Sequence, residues 1–288
     1  MSTGQNTRLG IMLMIATTFV FAVQDGVSQY LVREYNVRMV VMIRYWFFAL
    51  FVITVATAQA GGLRAAALTP QPLVQILRGT LLAAEICVMV FSFKLLGLVE
   101  SHAVFTCYPL LVAALSGRIL GEQVGWRRWA AIGIGFTGVI IVLQPGVEVF
   151  RPAAIIPLIA ALMFAIYGLL TRYAARRDSS ATSFFWTGVT GAVVLSIAGI
   201  GSWEPMSGPD WRWMGMLCLT GALGHYLLIR CYEVAEASAV QPFAYLQLVF
   251  ASGIGVMFFA EVVPHHVAIG AGIIVCAGLF TLWRERRN

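Results

Sequence analysis

The amino-acid sequence predicts an all-α integral membrane protein: ten transmembrane helices in two inverted five-helix repeats, with both termini cytoplasmic. Three observations carry this. The 288 residues are 60% hydrophobic and 11% charged, against about 45–50% and 25% in soluble domains. The apolar residues gather into ten segments of membrane-crossing length. And one stretch occurs twice. The first copy runs from Glu100 through Tyr108-Pro109 and closes at Gly121-Glu122; the second runs from Glu236 through Tyr245 and closes at Ala260-Glu261. The spacing from Pro109 to Glu122 equals that from Leu248 to Glu261.

Taken in order, the first span, 9–31, follows Arg8. It reads as a retained helix and not a cleaved leader, because many similar segments follow it. Spans 37–58 and 72–93 are separated by Gly61-Gly62, Pro70 and Pro72. Span 98–120 carries the first copy of the duplicated stretch. Span 126–144 ends at Pro145-Gly146 and completes a first repeat, 9–144. The second repeat, 152–284, holds spans 152–173, 181–202, 210–230, 236–259 and 264–284. Its links contain Asp178-Ser-Ser, Pro205 to Pro209 and Pro264. These links are too short for a folded extramembrane domain. Pro109 and Pro242 free backbone carbonyls inside spans four and nine, which either serves gating or ion binding or is a fixed kink.

The repeat reaches beyond the duplicated stretch. Phe21-Ala22 in the first span recurs as Phe164-Ala165 in the sixth. Lys94 and Glu100 recur, at one common offset, as Arg230 and Glu236. Five spans is an odd number, so the two copies cross the bilayer in opposite senses. Inverted repeats are characteristic of carriers whose site lies near the midplane between the halves. With the N-terminus inside, thirteen Arg and Lys residues fall on the inner side and five on the outer, the bias expected of cytoplasmic termini. That bias also accounts for the net charge of +6 without any nucleic-acid partner. Small residues at four-residue spacing, as in Gly117/Gly121 and Ala268/Gly272, permit close helix packing within a monomer or across a dimer.

Other chemistries are excluded by their missing motifs. No phosphate-binding glycine loop, zinc-binding H-E-x-x-H or G-x-S-x-G nucleophile elbow is present. No cofactor or metal is expected, and without a nucleotide-binding loop there is no sign of ATP as a driving force. His265-His266 is an adjacent pair in a loop and reads as solvated. The five cysteines, Cys87, Cys107, Cys218, Cys231 and Cys276, sit mostly in apolar runs without paired spacing, as packing residues do.

Charge inside a span is costly, about 2.5–3.5 kcal/mol on insertion scales, so each such residue needs a reason. Asp25, Arg44, Glu85 and His102 fall at similar depth in the first half. One reading makes Asp25 or Glu85 a proton-titrating or amine-binding carboxylate and Arg44 the binder of a substrate carboxylate. The other makes Asp25–Arg44 or Glu85–Arg44 a buried pair that neutralises itself. His102 is either a satisfied structural group or a proton relay. The corresponding positions in the second half are Gly168, Thr187, Gly221 and Ser238, so the scaffold is doubled but its charge is not. The second half instead offers Tyr167, Trp186, His225, Tyr226, Gln241, Tyr245 and Gln247, as substrate contacts or as packing. Gln24, beside Asp25, and Tyr108, beside Pro109, complete the candidate set. Glu122 and Glu261 each precede a helix by a few residues, where a carboxylate caps amide groups.

The Ala103-Val-x-x-x-Tyr-Pro-Leu…Gly-Glu122 pattern, repeated in inverted halves of five spans, resembles the EamA-type drug/metabolite transporter superfamily over nearly the whole chain. The second copy departs from it, with Ala260 for Gly and Leu248 for Pro. The resemblance implies a secondary transporter of the bacterial inner membrane that works by alternating access through a central cavity. Within the superfamily the chain is most similar to amino-acid exporters of the YddG type, which implies export of amino acids, including aromatic ones. S-adenosylmethionine, purines and cationic drugs are the alternative substrates. Proton antiport through Asp25, Glu85 or His102 and simple facilitated passage are equally allowed. An intramembrane enzyme, with Asp25 and Glu85 as its paired groups, is the less favoured class.

Overall fold

The computed structural model describes residues 7–121, 125–143, 152–235, 240 and 243–285. The described residues form helices and no strand. These are α1 Thr7–Glu34, α2 Val37–Ala60, α3 Leu63–Ala67, α4 Pro72–Phe105, α5 Tyr108–Leu120, α6 Trp126–Leu143, α7 Ile155–Ala174, α8 Ser180–Gly199, α9 Gly208–Val234, α10 Leu246–Phe259 and α11 His265–Glu285. On length and composition, Thr7–Glu34, Val37–Ala58, Pro72–Phe105, Ile155–Ala174 and Ala181–Ser202 are each apolar enough to cross a membrane, and several shorter apolar helices accompany them. The outer surface is apolar in a way that a water-soluble protein does not tolerate. Ile197, Met257 and Phe258 are each at least 75% exposed, and they suit lipid.

Local chemistry sets the helix ends. Asn36 caps α2 by accepting from the Arg38 amide, and Ser179 caps α8 by accepting from the Thr182 amide. These two caps occupy equivalent places in the two repeats, related by the same offset as Phe21 and Phe164. Gly121 ends α5 in the left-handed region at φ 77°. Its counterpart Ala260 ends α10 at φ 54°, a conformation that costs a side-chain-bearing residue about 1–2 kcal/mol.

The third and fourth spans differ from the sequence-based expectation. The expected link at 94–97 is a turn at Gly97 (φ 79°, ψ −177°) inside α4. The fourth span itself is broken at Thr106-Cys107 and restarts as α5, with Pro109 in its first turn. The missing amide is harmless there, so this proline starts a helix and does not kink one. Pro242, in the ninth span, lies outside the described residues.

The helix pairings come in mirrored sets. Helix α1 packs on α9 as α7 packs on α4; α2 meets α9 as α8 meets α4; and α1 meets α10 as α7 meets α5. Two further pairs, α2 with α8 and α6 with α11, are their own mirror images. Polar ties close each end. On one side Tyr35 and Tyr30 donate to Asp210 at 2.7 and 3.1 Å. On the other, Thr69 and Gln75 donate to Asp178, each at 2.8 Å. Tyr35 and Asp178 are themselves equivalent positions, each one residue before a helix-capping side chain.

Candidate functional site

Helix α1 runs through the centre and carries a buried polar face. Thr17, Thr18 and Ser28 spend their hydroxyls on carbonyls of their own helix, those of Leu13, Ile15 and Gln24. Such local bonds remove them from recognition. Gln24, Asp25 and Gln29 instead reach out to other helices.

Asp25 is the hub. Its carboxylate lies 3.1 Å from His102 Nε2 and accepts from Gln247 Nε2 at 3.1 Å and from Gln24 Nε2 at 3.4 Å. His102 is held by Leu98 O at 3.0 Å from Nδ1, and its ring stacks on Phe93 at 5.3 Å. Gln24 Oε1 in turn accepts from Arg44 Nη2 at 3.1 Å. A continuous hydrogen-bonded chain thus runs Arg44–Gln24–Asp25, then branches to His102 and Gln247. It draws on α1, α2, α4 and α10, so both halves contribute.

Neither of the expected self-neutralising pairs forms. Asp25 instead lies at ion-pair distance from His102, a pair that is charged when the imidazole is protonated. Glu85 is buried on α4 within the electrostatic reach of Asp25 and Arg44, without an ion pair to Arg44. Arg44 therefore forms no ion pair among the described residues, although Glu85 lies within its electrostatic reach. It is 6% exposed, and its bond to Gln24 is its only hydrogen bond among the described residues, although a guanidinium carries five N–H donors.

Two recesses flank this chain. One, with room in this conformation for about one water, is lined by Arg44, Tyr45, Phe48, Gly221 and His225, with Cys218 among others. The Tyr45 hydroxyl has no partner among the described residues. His225 packs edge-on against Phe21 and Phe48, and Gly221 O holds its Nδ1 at 3.1 Å. The other recess, also about water-sized, is lined by His102, Phe105, Tyr108, Tyr245, Gln247 and Leu248, with the break between α4 and α5 at its wall. A carboxylate fits Arg44, a cationic group fits Asp25, and the aromatic walls suit an apolar or planar body.

Several candidates lie elsewhere. Tyr167 sits under a second buried arginine, Arg78, at 5.5 Å. Trp186 donates to Ala67 O at 3.0 Å and so fastens α3 to α8. Tyr226 is 39% exposed. Gln241 lies outside the described residues. Tyr245 lines the second recess, but its hydroxyl abuts Gly278 and has no partner among the described residues. Arg78 is an inner-side positive charge by its place in the chain, yet it is 2% exposed.

Tyr45, Phe48 and Gly221 are additions to the candidate set. Phe48 follows Arg44 by four residues, the helical neighbour spacing, and that signal is present in the sequence. Tyr45 carries none, because adjacent helix positions do not share a face. Gly221 matters for what it lacks: a methyl there would sit 3.1 Å from Gln24 Oε1 and 3.3 Å from Arg44 Nε.

Glu261 does cap amide groups, as expected, but not those of the helix that follows it. Its carboxylate accepts from the amides of Leu98 and Val99, both at 2.9 Å, and from Gln29 Nε2 at 2.7 Å. All three belong to the first half. Glu122 lies outside the described residues.

Known proteins align along nearly the full chain. An S-adenosylmethionine uptake transporter of Rickettsia prowazekii is 23% identical over 97% of this chain and 94% of its own. A riboflavin transporter of Vibrio cholerae is 26% identical over 97% of this chain and 95% of its own. A solved crystal structure matches with a TM-score of 0.67 at 16% identity, covering 98% of this chain and 100% of that one; it shares the fold. These relatives and the apolar helices make the chain a multi-pass membrane transporter of small molecules. The model of the EamA-like transporter family matches residues 8–144 and again 151–283, so the chain belongs to that family.

Proposed function

We propose that this chain is a secondary carrier for a small zwitterionic metabolite, with Arg44 receiving its carboxylate and Asp25 its cationic group. The observation that carries this is Arg44: a buried guanidinium that faces a recess with most of its donors unused. Buried donors left unused are costly, and a substrate carboxylate is a group that would take them up. Asp25, two links away along the same chain, supplies the opposite sign. S-adenosylmethionine has both charges and a planar base, and free amino acids have the charged head alone. Riboflavin has neither charge at neutral pH. Among the substrates in its relatives' names, the site therefore favours S-adenosylmethionine, with amino acids as the smaller members of the same class.

The carrier reading takes ten spans in two inverted repeats, 9–144 and 152–284, with cytoplasmic termini in the bacterial inner membrane. The mirrored helix pairings support it, as does the equivalence of the ties at Asp210 and Asp178. Alternating access breaks these two ties in turn. A carrier of this kind has no fixed direction: the gradients decide between uptake and export, and the Rickettsia relative's name favours uptake. The His102–Asp25 pair offers a route for proton coupling, because a cation arriving at Asp25 competes with a protonated His102.

The test is flux into liposomes holding the purified protein. Labelled S-adenosylmethionine, methionine, phenylalanine and riboflavin are compared, with and without a pH gradient. Saturable flux of at least one zwitterion, competed by the others, is expected. Flux of riboflavin with no flux of any zwitterion overturns the assignment.

A further inference from the structure

Glu261 stands after the last residues of α10, in the second half, yet everything its carboxylate binds is in the first. It bridges the first two amides of the short helix that follows Gly97, those of Leu98 and Val99, and also holds Gln29 of α1. The fit is tight. A methyl on Gly97 would lie 2.4 Å from Glu261 Oε1, and one on Gly255 would lie 2.7 Å from its Oε2. The backbone beneath is pinned too, with the Glu261 amide donating to Gly255 O at 3.1 Å.

The same two elements meet again one helical turn deeper. Four residues before Gln29 on α1 is Asp25. Four residues after Leu98 is His102, whose Nδ1 rests on Leu98 O at 3.0 Å while its Nε2 faces Asp25. The arrangement is a ladder of two rungs between α1 and the 98–105 helix. The outer rung is Gln29–Glu261–Leu98/Val99 and the inner is Asp25–His102. The second half supplies a clamp to each, Glu261 outside and Gln247 inside. A carboxylate at a helix start meets both the free amides and the positive end of the dipole, so the outer rung fixes where the 98–105 helix begins. That start fixes where His102 stands.

We infer that Glu261 is a positioning residue for the substrate site: from the opposite half, it sets the spacing of α1 and the 98–105 helix on which the Asp25–His102 contact depends. Substrate binding enters only the second arm of the test, and that arm rests on the zwitterion reading given above.

The first arm uses the ligand-free protein in nanodiscs with ¹⁵N-histidine. The chain has four histidines, and His102→Gln identifies the His102 ring signals. In Glu261→Gln both His102 nitrogen signals are expected to shift while those of His225 stay in place. Gln29→Leu, which removes one of the three bonds and spares both caps, gives a smaller shift in the same direction. It also serves if Glu261→Gln does not fold. Unmoved His102 signals in a folded variant overturn the inference.

The second arm measures binding of S-adenosylmethionine and methionine. Glu261→Gln is expected to weaken binding about tenfold, with no further loss when added to His102→Gln, because groups acting through one contact are not additive. Multiplied losses would mark Glu261 as merely structural and defeat the inference. If the wild type binds neither probe, the zwitterion reading falls, and the histidine signals still decide the role of Glu261.

Discussion

Arg44 on α2 and Arg78 on α4 are 6% and 2% exposed, and neither forms an ion pair within the described residues. Their surroundings differ completely. Arg78 donates twice to Gln75 Oε1, at 3.2 and 2.8 Å, to Thr171 Oγ1 at 3.0 Å, to Thr187 Oγ1 at 2.9 Å and to the Ser183 carbonyl. Tyr167 offers its ring face, and Gln75 passes the contact on to Asp178. Arg44 has Gln24 and a recess. The same costly group is thus saturated by protein at one place and given a single protein acceptor at the other. Burial alone does not separate the two uses; the inventory of acceptors does.

The contrast is broken most directly by removing each charge. Arg78→Met takes the donor from the acceptors at Gln75, Thr171 and Thr187, and buried polar groups left unpaired cost about 1–3 kcal/mol each. A loss of about 3 kcal/mol or more is expected on that basis, seen as a large fall in folded yield and melting temperature. Arg44→Met strands Gln24 Oε1 and takes a positive charge away from Glu85. Its stability is expected to fall less than that of Arg78→Met, while probe binding disappears. Equal destabilisation by the two substitutions would erase the distinction.

Arg44→Lys refines the point. Lysine keeps the charge and loses the planar fork that grips a carboxylate. A lost hydrogen bond between charged groups is worth about 1.5–3 kcal/mol, so zwitterion affinity should fall about 10–100-fold at unchanged folded yield. Titration of S-adenosylmethionine against purified protein reads this. A collapse in yield instead would mean that Arg44 serves structure after all.

The glycines beside the two arginines give a matched pair. A methyl on Gly221 crowds Gln24 and Arg44, whereas one on Gly79 would lie 2.8 Å from Thr190 Cβ and 3.1 Å from Trp186 O. Overpacking costs about 1–3 kcal/mol. Gly221→Ala should register in affinity, about 3–10-fold weaker, and little in melting. Gly79→Ala should do the reverse. Melting curves and titrations of the two proteins side by side decide it.

Much of this scaffold is legible in the sequence because it depends on local rules that repeat. The duplicated stretch that closes at Gly121-Glu122 and Ala260-Glu261 follows from residue type and spacing, whereas the turn at Gly97 inside α4 and the helix that restarts at Pro109 depart from the expected link and the expected break within a span. The nearness of Asp25, Arg44, Glu85 and His102 to one another is legible too, from the cost of placing such groups in a span. Their partners are not. Sequence position sets Arg44 against Asp25 or Glu85, but its hydrogen bond to Gln24 depends on helix rotation, which apolar spans with little amphipathic pattern leave unspecified. Glu261, placed to cap the next helix, caps one 162 residues away, a contact made by packing of the halves. Arg78 resembles one more inner-side charge, because sequence position gives depth along a helix and not the direction a side chain faces.

Thr187 supplies the finest test, because it stands in the second half where Arg44 stands in the first. Its hydroxyl accepts from Arg78 Nη2 at 2.9 Å and donates to Ser183 O at 2.8 Å. The position that presents a cation with one hydrogen bond in one repeat presents an acceptor for a saturated cation in the other. Thr187→Val keeps shape and removes that acceptor, at an expected cost of about 1 kcal/mol in stability with zwitterion affinity unchanged. A drop in affinity without loss of stability would show that the Arg78 cluster reaches the site, and the two arginines could no longer be treated as separate uses of one residue type.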